Sequence, residues 1–304
     1  MLSRKEIRPR QTKLLLDRGL LPVSIDYRLC PEVTITEGPM TDVCAALQWA
    51  RRTLPELVLS RRDVRPDGDR VVVIGWSTGG TLALTLGWEP ITRGLQLQPP
   101  AAILAFYCPS DYQSSFFQSP NFPHGTTPAD AAREYDLLEG VRDSPITAYN
   151  IPSYGKGNST GAWMSLEDPR SRIALHMNWM GQTLPTIMDG LPSSKQAATA
   201  GADLDWMRRP QPDLARIAEI SPLARVVAGD YRTPTFIIHG TADDLVPWQH
   251  SVKLKKALAE RDIPSGAAIV QDAIHLFDLY PDKEGKHWKA VVEGYEFLFS
   301  QVGL

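Results

Sequence analysis

The sequence predicts an α/β protein whose mostly parallel sheet is covered by helices, and three observations carry that expectation. Short, wholly apolar runs such as RVVVIG, AAILAFY and TFIIH read as buried parallel strands. Between them lie amphipathic stretches of helical period, and strands alternating with helices build a parallel sheet. The chain has 304 residues, 43% apolar and 22% charged, enough for one large domain with a full core and an inserted subdomain.

In chain order, Ile7 to Gly19 is an Arg-rich helix stopped by its glycine, and Leu21 to Asp26 is a strand. Thr41 to Arg52 is a helix with Val43, Leu47 and Ala50 on one face. Arg70 to Gly75 is the strongest strand, followed by a helix from Thr78 to Gly87 and a strand from Ala101 to Tyr107. Beyond Cys108 the period dissolves into sequence rich in Pro, Gly, Ser and Trp, with short helices at Pro128 to Leu138 and Ser171 to Asn178. A structureless loop of that length is foreign to a compact domain. Residues 109–222 are therefore expected to form an inserted cap, and residues 1–108 with 223–304 the core. Regularity returns with a strand at Thr235 to His239, a helix at His250 to Arg261 and a strand at Ala267 to Gln271. A closing helix at Lys286 to Gln301 turns Val291, Tyr295 and Leu298 inward.

Gly75-Trp76-Ser77-Thr78-Gly79 fits G-x-S-x-G, a pentapeptide that arises by chance in roughly one chain in ten of this length. Its setting makes it informative. VVVI runs into it and TGGTLALTLG leaves it as a helix, which is the strand, sharp turn and helix of a nucleophile elbow. Such a turn forces strained angles on the serine and demands small residues two positions to either side, here Gly75 and Gly79. Ser77 then projects beyond the strand end. The backbone N–H of Thr78, at the helix N-terminus, faces the substrate oxygen on which charge develops. The alternative is a glycine-rich turn whose serine only caps the helix.

A serine hydroxyl attacks only when a base takes its proton and a carboxylate orients that base. Of six histidines, His275 alone sits just after a late strand and before a short loop, where parallel sheets gather site residues. His239 ends a strand and is expected to pack or hydrogen-bond beneath the loop that follows. His250 and His287 are expected to be solvated on helices, and His124 and His176 belong to the cap. The loop HGTADDLVP offers Asp243 and Asp244 as the carboxylate; Asp272 and Asp278 are close to His275 in sequence, which does not supply the needed geometry.

SIDYRLCPE, DVCAALQWAR, GWSTGG and HGTADD together resemble the hormone-sensitive-lipase-like branch of the α/β-hydrolases, over essentially the entire chain from Ser24 onward. The resemblance implies an α/β-hydrolase fold with a cap. Its HG-x-x-D pattern and its chain order of Ser, Asp and His select Asp243, giving a triad of Ser77, Asp243 and His275, with Asp244 a solvated or capping residue. Arg28 and Glu32 of the DYRLxPE segment are then structural. MLSRKEIRPRQ, LPVSIDYRLCPEV, GPMTDVC, LAFYCPSDY, DLLEGVRDSPIT and DPRSRIALHMNW are similar, more closely, to a particular group of esterase or thioesterase domains. These are the C-terminal product-release domains of fungal non-reducing polyketide synthases that carry a methyltransferase. That likeness implies release of a methylated aromatic polyketide from an acyl carrier protein, a thioester substrate, and a cap shaping a pocket for an acyl chain or ring. Trp76, Tyr112, Phe116, Trp163 and Trp179 are candidate pocket aromatics, with core packing as the alternative for each. No metal or organic cofactor is implied.

The departure from the family pattern is at the start. Members of the branch carry an HGGG-type segment just before the first helix, which supplies a second oxyanion donor. The strand leading into it lies between the strands Leu21 to Asp26 and Arg70 to Gly75. This chain begins at Met1, immediately after that place, so the N-terminal strands and that donor are expected to be missing. Loss of such a donor typically costs on the order of a hundredfold to a thousandfold in rate. Three accounts stand open: Met1 is internal to a longer domain, the chain is a remnant with impaired activity, or the two flanking strands pair directly.

A net charge of −3 with scattered basic residues lacks the electrostatic footprint of a nucleic-acid binder. Cys30, Cys44 and Cys108 have neither metal-type nor CxxC spacing and read as reduced and buried. MLSRKEIRPRQTK is too polar for a signal peptide, and no apolar run approaches the ~20 residues a membrane span needs. A cytoplasmic protein without membrane partners is expected. Two other readings compete with polyketide release. One is a free-standing carboxylesterase for small esters; the other is a silent module docking a carrier protein through Arg4, Lys5, Arg8 and Arg10.

Overall fold

Strands form where the sequence is apolar throughout. In the computed structural model, which describes residues 7–57, 64–122, 137–149, 168–200, 209–279 and 285–304, the principal elements run in chain order. The first are α1 (Pro9–Asp17), α2 (Thr41–Arg52), β1 (Val72–Trp76), α3 (Thr78–Thr85) and β2 (Ala102–Phe106). Then come α4 (Pro169–Trp179), α5 (Thr183–Asp189), α6 (Ser194–Ala200), α7 (Leu214–Ile220) and α8 (Pro222–Ala228). The chain closes with β3 (Thr235–Gly240), α9 (Gln249–Glu260), β4 (Ser265–Val270) and α10 (Lys286–Gln301).

The four strands are all parallel and lie side by side in the order β1-β2-β3-β4. Every residue of β2 and β3 is buried, as a sheet covered on both faces requires. α10 packs against the sheet through buried Val291, Tyr295 and Leu298. Its Gly294 admits close approach, because a Cβ there would lie 2.7 Å from a Leu104 methyl and 3.0 Å from an Ile238 methyl.

The chain divides into two compact units. Ile7–Val23, Val43–Tyr112 and Ala218–Leu304 form the unit that contains the sheet; Ser24–Asp42 and Gln113–Ile217 form the other. The segment Ser24–Asp42 thus groups with the middle of the chain rather than with residues 1–108, where periodicity alone places it. The reason is local bonding. Glu32 and Arg170 form an ion pair with side chains 1% and 3% exposed, and Arg170 Nη2 donates to the Cys30 carbonyl at 2.6 Å. Backbone bonds from Leu29 to Ile146 and from Ile35 to Ile187 add to the strap. Arg28 grips Asp42 of the same unit through its backbone N–H and its guanidinium, so Arg28 and Glu32 of the DYRLCPE segment both make structural contacts. α4 begins two residues before its predicted start because Asp168 caps it, accepting from the Ser171 N–H, with Pro169 in the first turn.

Two expectations need correction or lie out of reach. Leu21 to Asp26 is not a strand: it joins no ladder, and Leu21, Val23 and Ile25 are exposed. Its alternating apolar pattern suits a strand, but a strand also needs a neighbouring edge, and among the described residues β1 pairs only with β2. Direct pairing of those two segments does not occur. The helix expected from Pro128 falls almost wholly outside the described residues, of which Leu137–Gly140 forms a 3-10 turn. None of the described helices is long and apolar enough to cross a membrane.

Candidate active site

The site is assembled at the C-terminal ends of β1, β3 and β4. β1 runs directly into Ser77, whose N–H continues the ladder by donating to the Phe106 carbonyl at 2.9 Å. Ser77 then takes φ +53° and ψ −127°, a sparsely populated conformation for a residue with a side chain, costing about 1–3 kcal/mol. Its carbonyl accepts from Gly80 and Thr81, which starts α3. Thr78 therefore occupies the first helical position, exposed, where an N–H has no partner within the helix.

The small residues of the elbow are not quite those the motif singles out. A Cβ on Gly75 would lie 2.1 Å from the Gly79 carbonyl oxygen, so Gly75 is required. A Cβ on Gly79 would meet nothing within 4 Å. On the helix side the requirement falls on Gly80, where a Cβ would lie 2.7 Å from that of Cys108.

The three predicted residues come together. His275 Nε2 lies 3.0 Å from Ser77 Oγ, and His275 Nδ1 lies 2.7 Å from Asp243 Oδ2. Asp243 Oδ1 accepts from the N–H groups of Leu245 and Val246, each at 2.9 Å, so the carboxylate is fixed from the backbone. As the carboxylate accepts, His275 Nδ1 donates, which leaves Nε2 of the neutral ring as the acceptor facing Ser77.

His239 lies beneath the loop and is fully buried. Its Nε2 is 3.1 Å from both Asp243 Oδ2 and the Val246 carbonyl, and its Nδ1 is 2.7 Å from Ser251 Oγ. A carbonyl can only accept, so Nε2–H is shared between it and the carboxylate. Burial pushes the Asp243 carboxyl upward, but the hydrogen bonds from His239 and His275 outweigh it and hold the group well below the usual carboxylate range. The loops after β3 and β4 touch closely: a Cβ on Gly240 would lie 2.1 Å from the Ala273 carbonyl oxygen.

Competing residues fall elsewhere. Asp244 is exposed, Asp272 accepts from its neighbour Gln271, and Asp278 faces Arg8 and Tyr107. His250 is buried rather than solvated, and burial pushes it down to about 4. It lies in the first turn of α9 but turns inward, a choice that helix period alone leaves open. His287 is half-buried, with its ring packed on Phe277. His176 is buried in the other unit and His124 lies outside the described residues. Of the candidate pocket aromatics, Trp76 stacks on Phe106 and Tyr112 is buried. Phe116 packs on Phe117 and Trp179 on His176, while Trp163 lies outside the described residues. No cluster able to hold a metal occurs among the described residues.

Residues 13–135 match the family described as alpha/beta hydrolase fold, and residues 191–303 match the prolyl oligopeptidase family. Among solved structures, the chain is similar to an alpha/beta hydrolase superfamily protein from Enterococcus faecalis, with a TM-score of 0.54 and 18% identity over 100% of this chain and 86% of that one. An esterase/lipase from an uncultured bacterium gives a TM-score of 0.53 and 17% identity, covering 100% and 73% of the two chains. The chain has the α/β-hydrolase fold.

In sequence it is 58% identical over 98% of its length to 5-methylorsellinic acid synthase of Aspergillus terreus. It is 51% identical over 99% of its length to the non-reducing polyketide synthase adrD of Penicillium rubens. The chain spans only 11% and 12% of the length of these two relatives. It is thus similar, almost from end to end, to one segment of fungal polyketide synthases.

Proposed function

We propose that this chain is a serine hydrolase that releases an acyl group from a thioester or ester in polyketide biosynthesis. The observation that carries the reading is the relay of Ser77 Oγ, His275 and Asp243, with separations of 3.0 Å and 2.7 Å. Ser77 Oγ attacks the acyl carbonyl while His275 Nε2 takes its proton. The oxygen of the tetrahedral adduct gathers negative charge, which the N–H of Thr78 and the N-terminal end of α3 stabilise. Collapse of the adduct expels the thiolate or alkoxide, which receives the proton from His275, and leaves an acyl-serine. Water then attacks that ester by the same route, giving the free acid and Ser77. Asp243 keeps the proton on His275 Nδ1 and steadies the imidazolium that forms. The likeness to polyketide synthases supports an acyl thioester on a carrier protein as substrate.

The test is covalent labelling with a fluorophosphonate. The native chain is expected to label at Ser77, with labelling lost in Ser77→Ala and on denaturation. A native protein that takes no label at Ser77 is not a serine hydrolase of this kind.

A further inference from the structure

Behind the imidazole of His275 lies a buried polar cluster that the acyl-transfer steps do not use. At its centre is Asp278, just beyond His275 in the chain, its side chain 0% exposed. Asp278 Oδ2 accepts from Arg8 Nε at 2.5 Å and from Gln11 Nε2 at 2.8 Å, and Oδ1 accepts from the Tyr107 hydroxyl at 2.5 Å. Arg8 Nη2 also donates to that hydroxyl at 3.3 Å. The Tyr295 hydroxyl of α10 donates to Gln11 Oε1 at 3.1 Å, tying α1 down.

This cluster touches the imidazole of the relay and the residue beside its serine. The Tyr107 ring lies 4.6 Å from the imidazole of His275, centroid to centroid. The guanidinium of Arg8 lies 4.4 Å from the ring of Trp76, the residue before Ser77. Tyr107 itself is fully buried at φ +36°, outside the usual range for a bulky residue. Strain of that kind persists only where surrounding contacts over-determine it. A buried ion pair adds little net stability, because desolvation offsets most of the attraction and an apolar replacement is often neutral or better. Fixing a geometry is a better reason for its presence. Of the four basic residues considered for docking a carrier protein, the described ones are Arg8 and Arg10. Arg8 is consumed here, Arg10 stacks on Trp288 at 3.9 Å, and Arg4 and Lys5 lie outside the described residues.

We propose that Arg8, Asp278 and Tyr107 are positioning residues that hold the His275 imidazole in line between Ser77 and Asp243, with Arg8 acting through the other two. The proposal rests on the serine-hydrolase reading. Asp278 anchors the 3-10 turn Phe277–Leu279 that follows His275, and the Tyr107 ring, pinned by its hydroxyl, supports the imidazole. Slack of about 1 Å in the base costs roughly a hundredfold in rate.

Two variants of the full chain test this: Tyr107→Phe, which keeps the ring and frees it, and the double variant Arg8→Met with Asp278→Leu, which removes the ion pair without stranding a charge. Turnover of 4-nitrophenyl acetate, the rate of fluorophosphonate labelling, thermal melting and the imidazole 15N shifts of His275 are measured on each. The double variant is expected to melt near the wild-type temperature, to lose kcat roughly a hundredfold with KM within about twofold, and to show altered His275 15N shifts. Tyr107→Phe is expected to follow the same pattern at about tenfold. Folded variants with wild-type kcat and wild-type His275 shifts overturn the proposal. Should the double variant not fold, Tyr107→Phe decides by the same criteria. A wild-type chain that takes no label fails the hydrolase reading instead, and the His275 shifts of the variants still decide the positioning role.

Discussion

Asp243 gathers four donors on one carboxylate: two backbone N–H groups on Oδ1 and two imidazoles on Oδ2. Those bonds hold its folded-state pKa below its unfolded value of about 3.9. The sign of the linkage follows. Stability from this carboxylate is fully present above that unfolded value and is lost as the pH falls below it, toward the depressed folded value. Asp243→Asn is therefore expected to be less stable than wild type at pH 7 by about 2–3 kcal/mol. In urea unfolding, that gap narrows progressively below roughly pH 4. A gap of constant size between pH 7 and pH 3 means that the carboxylate's charge contributes nothing. Turnover should fall about 10⁴-fold in the same variant, since an amide can offer Nδ1 a donor and stabilise the wrong tautomer.

At the scale of elements, the elbow between β1 and α3 separates two glycines that the motif treats alike. Gly75→Ala drives a Cβ into the backbone of the following turn and is expected to abolish fluorophosphonate labelling, with a loss of stability of about 2–4 kcal/mol. Gly79→Ala meets open space and should label at a rate within about threefold of wild type. Labelling that falls equally in both would show that the helix side is as crowded as the strand side. What the sequence reveals here is whatever depends on near neighbours. β1, α3, β2, β3, β4 and α10 are legible because an apolar run or a helical period is a local property. Leu21 to Asp26 has the local pattern of a strand but lacks an edge to pair with, and edges are supplied from elsewhere in the chain. The same limit hides Gly80, whose constraint comes from Cys108, and Arg8, whose partner Asp278 is 270 residues away. His250 sits where period predicts a helix start, but only packing decides that its ring is buried. The juxtaposition of Ser77, His275 and Asp243 is legible because all three are tied to strand ends, which motif and order reveal together.

Across the whole molecule, the three cysteines report on the two units separately. Cys30 belongs to the unit of Ser24–Asp42 and Gln113–Ile217, whereas Cys44 and Cys108 belong to the unit that contains the sheet. All three are free thiols. Burial pushes Cys30 and Cys108 up to about 12 and Cys44 up to about 11. At pH 8 the folded protein thus presents almost no thiolate, while an unfolded cysteine, with a pKa of about 8.5, reacts readily with a disulfide reagent. Local stability tracks buried apolar contact. The sheet unit is rich in it, with β2 and β3 buried along their whole length and Leu298, Phe299 and Tyr295 closing over them. Around Arg170, which bonds the Cys30 carbonyl, the strap is ionic, and the apolar contact beside it includes a small cluster of Leu138, Val141 and Ile173 with Leu191 and Ala197 against it. Cys30 is therefore expected to become reactive at a lower guanidinium concentration than Cys44 and Cys108, which should appear together. Site-resolved labelling by mass spectrometry across a denaturant series reads the three separately. Exposure of all three at one shared midpoint would mean that the units unfold as a single cooperative body and that the ionic strap holds as firmly as the sheet.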